Sequence, residues 1–338
     1  MKFKIHRGTQ EIGGSCVEIW TDQTRILVDF GMPLVEEDGS EFDYKNYNDL
    51  STDDLIEEGI LHDIDGIYKT DNELIDGIIL SHSHQDYYGL INHLHPDIPV
   101  YLSKPTADLI EINNIFTPSN VEIQNPVYFE REKYFNIGDI KVTPYWMDHS
   151  AFDSYAFHIK SNGNSIFYTG DFRSHGRKGK MFKWFTHNAP KNVDYLLLEG
   201  TTIGRDSNQK FKTETDIQNE FKNLISEKDK INLIYTSGQN IDRLTSIYKA
   251  CQETSKTMVV DVYIAKVMKE LSKYAGIPYP SNSYGIKVIF PYYTCNRLDR
   301  QNNEKIMYEF KYYKVTKKEI TENPNKYVML VRPSMQKD

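Results

Sequence analysis

Cysteine is scarce in this 338-residue chain, and its three cysteines, Cys16, Cys251 and Cys295, lie far apart in the sequence. Their odd number and wide spacing argue against a disulfide framework and favour free thiols in a reducing compartment. Long apolar runs are also missing, which excludes a transmembrane helix of about 20 residues. The N-terminal sequence MKFKIHRGTQEIGG has no apolar segment typical of a secretory signal. We therefore expect a cytoplasmic protein that makes no membrane contact.

Apolar residues, in contrast, are plentiful enough to build a core. Hydrophobic residues make up 39% of the chain and aromatic residues 13%, which argues against a disordered protein. At roughly 100–200 residues per domain, the length indicates about two domains.

Charge is distributed unevenly along the chain. Residues 1–200 contain 17 Lys and Arg against 32 Asp and Glu, a net charge of −15, whereas residues 240–338 contain 17 against 10, a net charge of +7. The basic end either carries solvated helix faces or meets a polyanion such as RNA or single-stranded DNA. Composition alone leaves both interpretations open.

The pattern of predicted elements changes near residue 200. The first part contains mainly short β-branched and aromatic runs typical of strands. The second part alternates strands with helices, one of them predicted over Arg297–Phe310, and this alternation predicts a parallel α/β sheet. We therefore place one domain at residues 1–204 and a second at residues 205–338, in a chain of the α/β class.

A histidine motif follows the apolar run Ile78–Leu80. It reads Ser81-His82-Ser83-His84-Gln85-Asp86. In an extended backbone, residues two apart face the same side, so His82, His84 and Asp86 can reach one cation. Zn²⁺ takes imidazole and carboxylate ligands in this mixture. The motif therefore predicts a metal site at the end of a strand.

Two later segments supply further candidate ligands at strand ends. His149 follows the predicted strand Ile140–Tyr145, and Asp171 follows the predicted strand Ser165–Thr169. Asp29 ends another predicted strand, where it either orients a ligating histidine or starts a turn. These positions predict a site built from His82, His84, Asp86, His149 and Asp171.

Together with Gly13–Cys16 and Leu27–Gly31, these motifs resemble those of metallo-β-lactamase-fold hydrolases in order and spacing. The resemblance covers the first 200 residues and implies an αββα sandwich with a metal site along one edge. Glu199 after Leu196–Leu198, and the stretch Tyr235–Arg243, are similar to the β-CASP branch, which includes RNase J-like nucleases. This resemblance to the β-CASP branch implies an inserted α/β domain, a catalytic role for Asp86 and Glu199, and RNA or single-stranded DNA as substrate.

The resemblance implies one or two zinc ions as cofactor, with manganese as the other metal considered. A metal-activated water would then attack the phosphodiester. With a single metal, Arg173 and Arg177 are candidates to bind the substrate phosphate, unless the basic run Arg173–Lys180 is simply a solvated loop.

The sequence departs from the family pattern in two places. Tyr87 stands where the family's H-x-H-x-D-H cluster has its last histidine, and a protonated phenol is a poor zinc ligand. Tyr87 is therefore expected beside the metal ligands, and one tight site is favoured over two. The last histidine is His187, so the late histidines of the family are missing. We expect a fragment or a naturally truncated protein with an incomplete insertion, whose exposed sandwich edges favour self-association.

Three functions are compatible with these observations. The first is a metal-dependent nuclease acting on RNA or single-stranded DNA. The second is a metallo-hydrolase of the same fold acting on a smaller ester or phosphodiester, and the third is a binding protein with a degenerate metal site. Bound metal separates the third from the other two.

Overall fold

A computed structural model of the chain describes residues 1–36, 38–47, 49–117, 119–204, 212–226 and 230–336. Strands of the first part are β1 Lys2–Arg7, β2 Cys16–Trp20, β3 Arg25–Val28, β4 Gly77–Ile79, β5 Val100–Leu102, β6 Pro126–Tyr128, β7 Phe135–Ile137, β8 Ile140–Trp146, β9 Tyr155–Ser161, β10 Asn164–Tyr168 and β11 Tyr195–Leu197. Strands of the second part are β12 Asn232–Tyr235, β13 Thr257–Asp261, β14 Lys287–Ile289 and β15 Tyr327–Val331.

Helices connect and cover these strands. The α-helices are α1 Thr52–Glu57, α2 Gln85–Tyr88, α3 Lys104–Phe116, α4 Gly179–Asn188, α5 Glu214–Ile225, α6 Ile241–Glu253, α7 Val262–Leu271, α8 Tyr292–Arg300, α9 Lys305–Phe310 and α10 Lys317–Glu322. The 3₁₀ helices are Tyr44–Tyr47, Ile91–His93, Lys311–Tyr313, Pro324–Lys326 and Pro333–Met335. Among the residues that the structure describes, no helix combines the length and the apolar character needed to span a membrane.

Two sheets face each other in the first part. The six-stranded sheet runs β1-β2-β3-β4-β5-β6 and the five-stranded sheet runs β11-β10-β9-β8-β7. Between them lies a shared apolar layer to which Val17, Ile26 and Ile79 contribute from one sheet and Ile140 and Phe157 from the other. Side chains of alternate strand residues can fill such a layer because they point to opposite faces.

Helices cover both outer faces of this pair of sheets. Leu27, Ile78 and Leu102 pack against Leu55 of α1 and Ile110 of α3 on the outer face of the six-stranded sheet. On the outer face of the five-stranded sheet, Phe167 packs against Phe185 of α4. The predicted α/β class with an αββα sandwich is thereby confirmed.

The second part contains a four-stranded sheet in the order β12-β15-β13-β14, in which every pair of strands is parallel. This confirms the α/β alternation predicted for residues beyond 200. The single helix predicted over Arg297–Phe310 is wrong, because α8 ends at Arg300 and α9 begins at Lys305. Asn302, with φ of 57°, adopts the left-handed conformation in the turn between them.

The two parts pack against each other through α3. Leu109, Ile112 and Phe116 of α3 share an apolar cluster with residues of α6, α7 and α8. At the polar margin, Arg297 donates to the Phe116 carbonyl at 3.1 Å. The predicted boundary after residue 204 adjoins residues 205–211, which lie outside the described residues, so the domain division stays a prediction.

His62 is a buried imidazole of the first part that should make stability depend on pH. It is 8% exposed, and its Nε2 has no hydrogen-bond partner within the described ranges. Burial lowers the pKa of His62 to about 3, and the nearby Arg7 and His6 act in the same direction. Below pH 6.5 the unfolded chain therefore binds a proton that the native protein does not, and the free energy of unfolding falls as pH falls.

We expect His62→Phe to flatten this dependence. Between pH 6 and pH 5, the wild type should lose about 1.4 kcal/mol more unfolding free energy than the variant, which corresponds to one proton. Urea denaturation at several pH values measures the difference, and His187→Phe, at an exposed position of α4, is the control. Parallel pH curves for His62→Phe and wild type would contradict the prediction.

Candidate metal centre

Three histidines meet at one edge of the sandwich. His82 and His84 follow β4, and His149 follows β8, so strands of both sheets deliver them. One ligand atom from each of the three lies within 4.8 Å of the others. The ring centroids are 4.8 to 5.0 Å apart. Three clustered imidazole rings contribute little to stability by themselves, whereas a shared cation would bind to all three.

His82 is the most enclosed member of the cluster. Its residue surface is 0% exposed, and Nδ1 lies 3.0 Å from the Ser81 hydroxyl oxygen. The other ring nitrogen, Nε2, is buried and has no hydrogen-bond partner in the described part of the chain. A buried nitrogen without a partner is costly, and a bound cation would satisfy it.

The other two imidazoles share this desolvated environment. Burial lowers the pKa of His84 to about 4 and holds the pKa values of His82 and His149 well below 6.5. All three rings are therefore neutral at pH 7, the form in which imidazole binds metals. Nδ1 of His149 lies 3.3 Å from the Ser154 hydroxyl, which can hold the ring in place. The donor set fits a divalent cation.

Asp171 lies beside the cluster, and Tyr87 contacts it. Asp171 Oδ2 is 3.6 Å from His149 Nε2, while Oδ1 accepts a hydrogen bond from the Tyr87 hydroxyl. Burial raises the pKa of the Asp171 carboxyl to about 7 and raises that of Tyr87, which stays protonated and can donate. The Tyr87 ring centroid is 4.1 Å from that of His82. Tyr87 thus lies beside the predicted ligands, as the sequence suggested.

Asp86 occupies a different local structure from the one expected. The backbone at His84 is extended, but α2 begins at Gln85, so the extended conformation does not continue to Asp86. Among the described residues, the histidine group that could hold a metal does not include it. Burial raises the pKa of Asp86 to about 6. Its roles as ligand and catalytic group stay predictions.

Asp29 acts on the cluster through a neighbour. It is fully buried, with φ of 60°, and it accepts hydrogen bonds from the Ser81 backbone at 2.8 Å and the Tyr168 hydroxyl at 2.7 Å. Burial raises its pKa to about 7. The Ser81 hydroxyl contacts His82, so Asp29 is linked to that histidine through Ser81, and its positive φ places it in the turn after β3. A role for Asp29 in orienting His82 stays a prediction.

Glu199 lies after β11, close to the Asp171 segment. Its carboxylate accepts from the backbone of Phe172 at 3.3 Å and of Thr201 at 3.2 Å, and its own backbone donates to Thr169. Glu199 also contributes to the raised pKa of Asp171. The contacts stabilise the turn that carries Asp171, and its catalytic role stays a prediction.

The two predicted phosphate-binding arginines contact protein groups. Arg173 donates to Asp242 of α6 at 2.5 Å and lies 3.5 Å from Asp148, the residue before His149. Arg177 donates to Gln218 at 2.6 Å and to Ser246 at 2.9 Å. Phosphate would have to compete with these contacts, so binding by Arg173 and Arg177 stays a prediction.

Sequence reasoning missed three residues that position the site. Ser81 connects Asp29 to the cluster, Tyr168 donates to Asp29, and Asp242 holds Arg173 across the contact between the two parts. Ser81 is the first residue of the histidine motif, but its contacts with Asp29 and His82 are visible only in the structure. Tyr168 had the pattern of a core strand residue, and Asp242 lies in the other part of the chain.

Comparison with known proteins supports this description. A family model described as a Beta-lactamase superfamily domain matches residues 66–218. Ribonuclease J of Sinorhizobium meliloti is 24% identical over 193 residues, covering 55% of this chain and 34% of that protein. The RNase J-like protein of Methanocaldococcus jannaschii is 28% identical over 221 residues, covering 59% and 42%. Transcription termination factor FttA of Methanothermobacter thermautotrophicus is 24% identical over 224 residues, covering 60% and 32%.

One solved structure matches nearly the whole chain. A protein of unknown function from Enterococcus faecalis V583 superposes with a TM-score of 0.76 at 20% identity, covering 98% of this chain and 76% of that one. The chain spans about a third to two fifths of the length of the curated relatives named above. The resemblance to metallo-β-lactamase-fold hydrolases of the β-CASP, RNase J-like branch is confirmed.

We expect the chain to bind one Zn²⁺ tightly. Changing His82 or His149 to Ala should weaken zinc affinity by more than about tenfold, because each removes one of three imidazoles. Metal analysis after dialysis and competition with a chromophoric chelator measure stoichiometry and affinity. His187→Ala, at an exposed histidine of α4, is the control. Unchanged affinity in both cluster variants would contradict the site.

Tyr87→Phe should weaken zinc binding by roughly tenfold, because Asp171 loses the hydrogen bond that orients it. The matched control is Tyr88→Phe, which removes a buried hydroxyl that accepts from Asn113 at 3.1 Å. Chelator competition measures both variants. Equal affinities for Tyr87→Phe and Tyr88→Phe would show that the contact with Asp171 has no role in metal binding.

Proposed function

We propose that this chain, which has the metallo-β-lactamase fold and resembles the β-CASP, RNase J-like branch, is a metal-dependent phosphodiesterase acting on RNA or single-stranded DNA. The observation that carries the proposal is the cluster of three neutral imidazoles at the sandwich edge, of which His82 is fully buried. Relatives named ribonuclease J support a nucleic-acid substrate. The proposed cofactor is one zinc ion, with manganese as the alternative.

The proposed catalytic residues have distinct tasks. His82, His84 and His149 would hold the cation, and Asp171 would approach it from the His149 side. A cation bound there would activate a water molecule for hydrolysis. Asp86, beside the histidine motif, would accept a proton during attack on phosphorus, and Glu199 would hold the turn that carries Asp171.

The proposed substrate is consistent with the charge distribution. The acidic first part carries the metal edge, and the basic residues of the second part would contact the phosphate backbone of the substrate. The packing of α3 against α7 and α8 joins the two parts of the chain. A small-ester hydrolase would have no evident use for the basic region.

A second candidate is a protein that binds RNA without cutting it. The observation in its favour is a histidine group that includes no carboxylate among the described residues, with Tyr87 in place of a further histidine of the motif. One relative is named transcription termination factor FttA, and this name does not state a cleavage activity.

Cleavage of end-labelled oligonucleotides by the purified, zinc-loaded chain tests the proposal. We expect single-stranded RNA to be cut, EDTA to stop cleavage, and added Zn²⁺ or Mn²⁺ to restore it. His149→Ala should lower the rate by more than about a hundredfold, because the cation lowers the barrier to attack by water. His187→Ala should leave the rate unchanged.

The opposite result is equally clear. If the chain holds stoichiometric metal and binds RNA but leaves RNA and DNA uncut, the nuclease proposal fails and the binding role is favoured. The same assay with single-stranded DNA and with duplex RNA distinguishes the substrate classes.

A further inference from the structure

The outer face of α9 and of the 3₁₀ turn that follows it carries exposed tyrosines beside lysines. Tyr308 is 64% exposed and Tyr312 is 79% exposed. Lys305 and Lys311, also exposed, lie next to them in sequence. We call these four residues the α9 surface, and we propose that it is a stacking platform for single-stranded RNA. This inference rests on the proposed function.

The arrangement of α9 holds the two tyrosines outward. Tyr308 lies in α9 and Tyr312 lies in the 3₁₀ turn Lys311–Tyr313 that follows directly, so about one helical turn of chain separates them. The opposite side is anchored in the core by Ile306, which is 7% exposed, and Phe310, which is 0% exposed. The α9 surface is therefore presented by a packed element.

Exposed aromatic rings at this density need an explanation. Large apolar surface left in water is unfavourable, and groups of such residues mark interaction sites. α8 adds a second exposed pair, Tyr292 and Tyr293, whose ring centroids are 5.7 Å apart. Because tyrosine is abundant throughout the sequence, the exposed tyrosines can be distinguished from the buried ones only in the structure.

The charge around the α9 surface favours a polyanion. Residues 291–318 contain seven Lys and Arg against three Asp and Glu. One of the three acidic residues, Glu309, is neutralised by Lys266 at 3.4 Å and Lys269 at 3.1 Å from α7. The Nζ atom of Lys311 lies 4.8 Å from the ring centroid of Tyr312, close enough for a cation–π contact.

Aromatic faces and lysines together fit an unpaired nucleic acid strand. Bases of a single strand can stack on tyrosine rings, while lysines contact the backbone phosphates, and neither contact requires a particular base. A duplex keeps its bases stacked internally and cannot offer them to the tyrosines. The surface should therefore prefer single strands and discriminate little between sequences.

Fluorescence anisotropy with a labelled 12-nucleotide oligouridine, in EDTA and 50 mM salt, tests the platform without cleavage. We expect Tyr308→Ala combined with Tyr312→Ala to raise Kd by at least about tenfold. The corresponding double Phe variant should bind like wild type, since it keeps the rings. Lys305→Gln with Lys311→Gln should reduce the slope of log K against log salt by roughly 0.7 per lysine.

Tyr134→Ala is the matched control, because Tyr134 is also exposed and also lies under a lysine, with Lys141 Nζ at 3.6 Å from its ring centroid. It should leave Kd unchanged. The inference is overturned if the double Ala variant binds oligouridine like wild type, or if the wild type does not bind it. It is also overturned if the double Ala variant loses only self-association in sedimentation.

Cleavage by the metal-loaded chain separates this inference from the proposed function. If tyrosine-dependent binding occurs in a chain that cuts nothing, the platform stands and the nuclease proposal fails. If the double Ala variant binds and cuts RNA like wild type, the nuclease proposal stands and the platform fails.

Discussion

The desolvation of three imidazoles that meet at one edge of the sandwich is the constraint on which the site depends. His82 is fully enclosed, and its Nε2 has no protein partner in the described ranges. Desolvation opposes protonation of all three rings, which explains why their pKa values are low. The cluster is therefore organised to donate lone pairs, and a cation is the partner that its chemistry suits.

The metal edge is joined to the second part of the chain by a compact ionic contact. Arg173 lies between Asp148, which precedes His149, and Asp242 of α6. Gly176 fits into the same contact because an added Cβ would lie 2.1 Å from an Asp148 carboxylate oxygen. The position of His149 is thus connected to that of α6, so the site and the parallel sheet should behave as one structural unit.

Much of this architecture could be predicted because its signals are local. Apolar runs such as Ile78–Leu80 marked strands, and His82, His84, His149 and Asp171 all follow strands whose ends meet at one edge. The resemblance to known hydrolases implied the αββα arrangement of the sheets and the similarity to the β-CASP branch.

The remaining features depend on contacts between distant residues. The partners of Arg173 and Arg177, Asp242 and Ser246, lie 65 to 69 positions away, so an apparent phosphate-binding pair became part of a packed contact. The helical turn at Gln85 altered the placement of Asp86. Exposure, which distinguishes Tyr308 from buried tyrosines, follows from packing and not from the residue type.

X-ray absorption at the zinc edge of the metal-loaded chain tests the central claim most directly. The account predicts one zinc ion per chain whose scattering shows three imidazole nitrogens completed by oxygen ligands. Sulfur ligands, or fewer than two imidazoles around the zinc, would contradict it, because the metal would then lie outside the His82, His84 and His149 cluster.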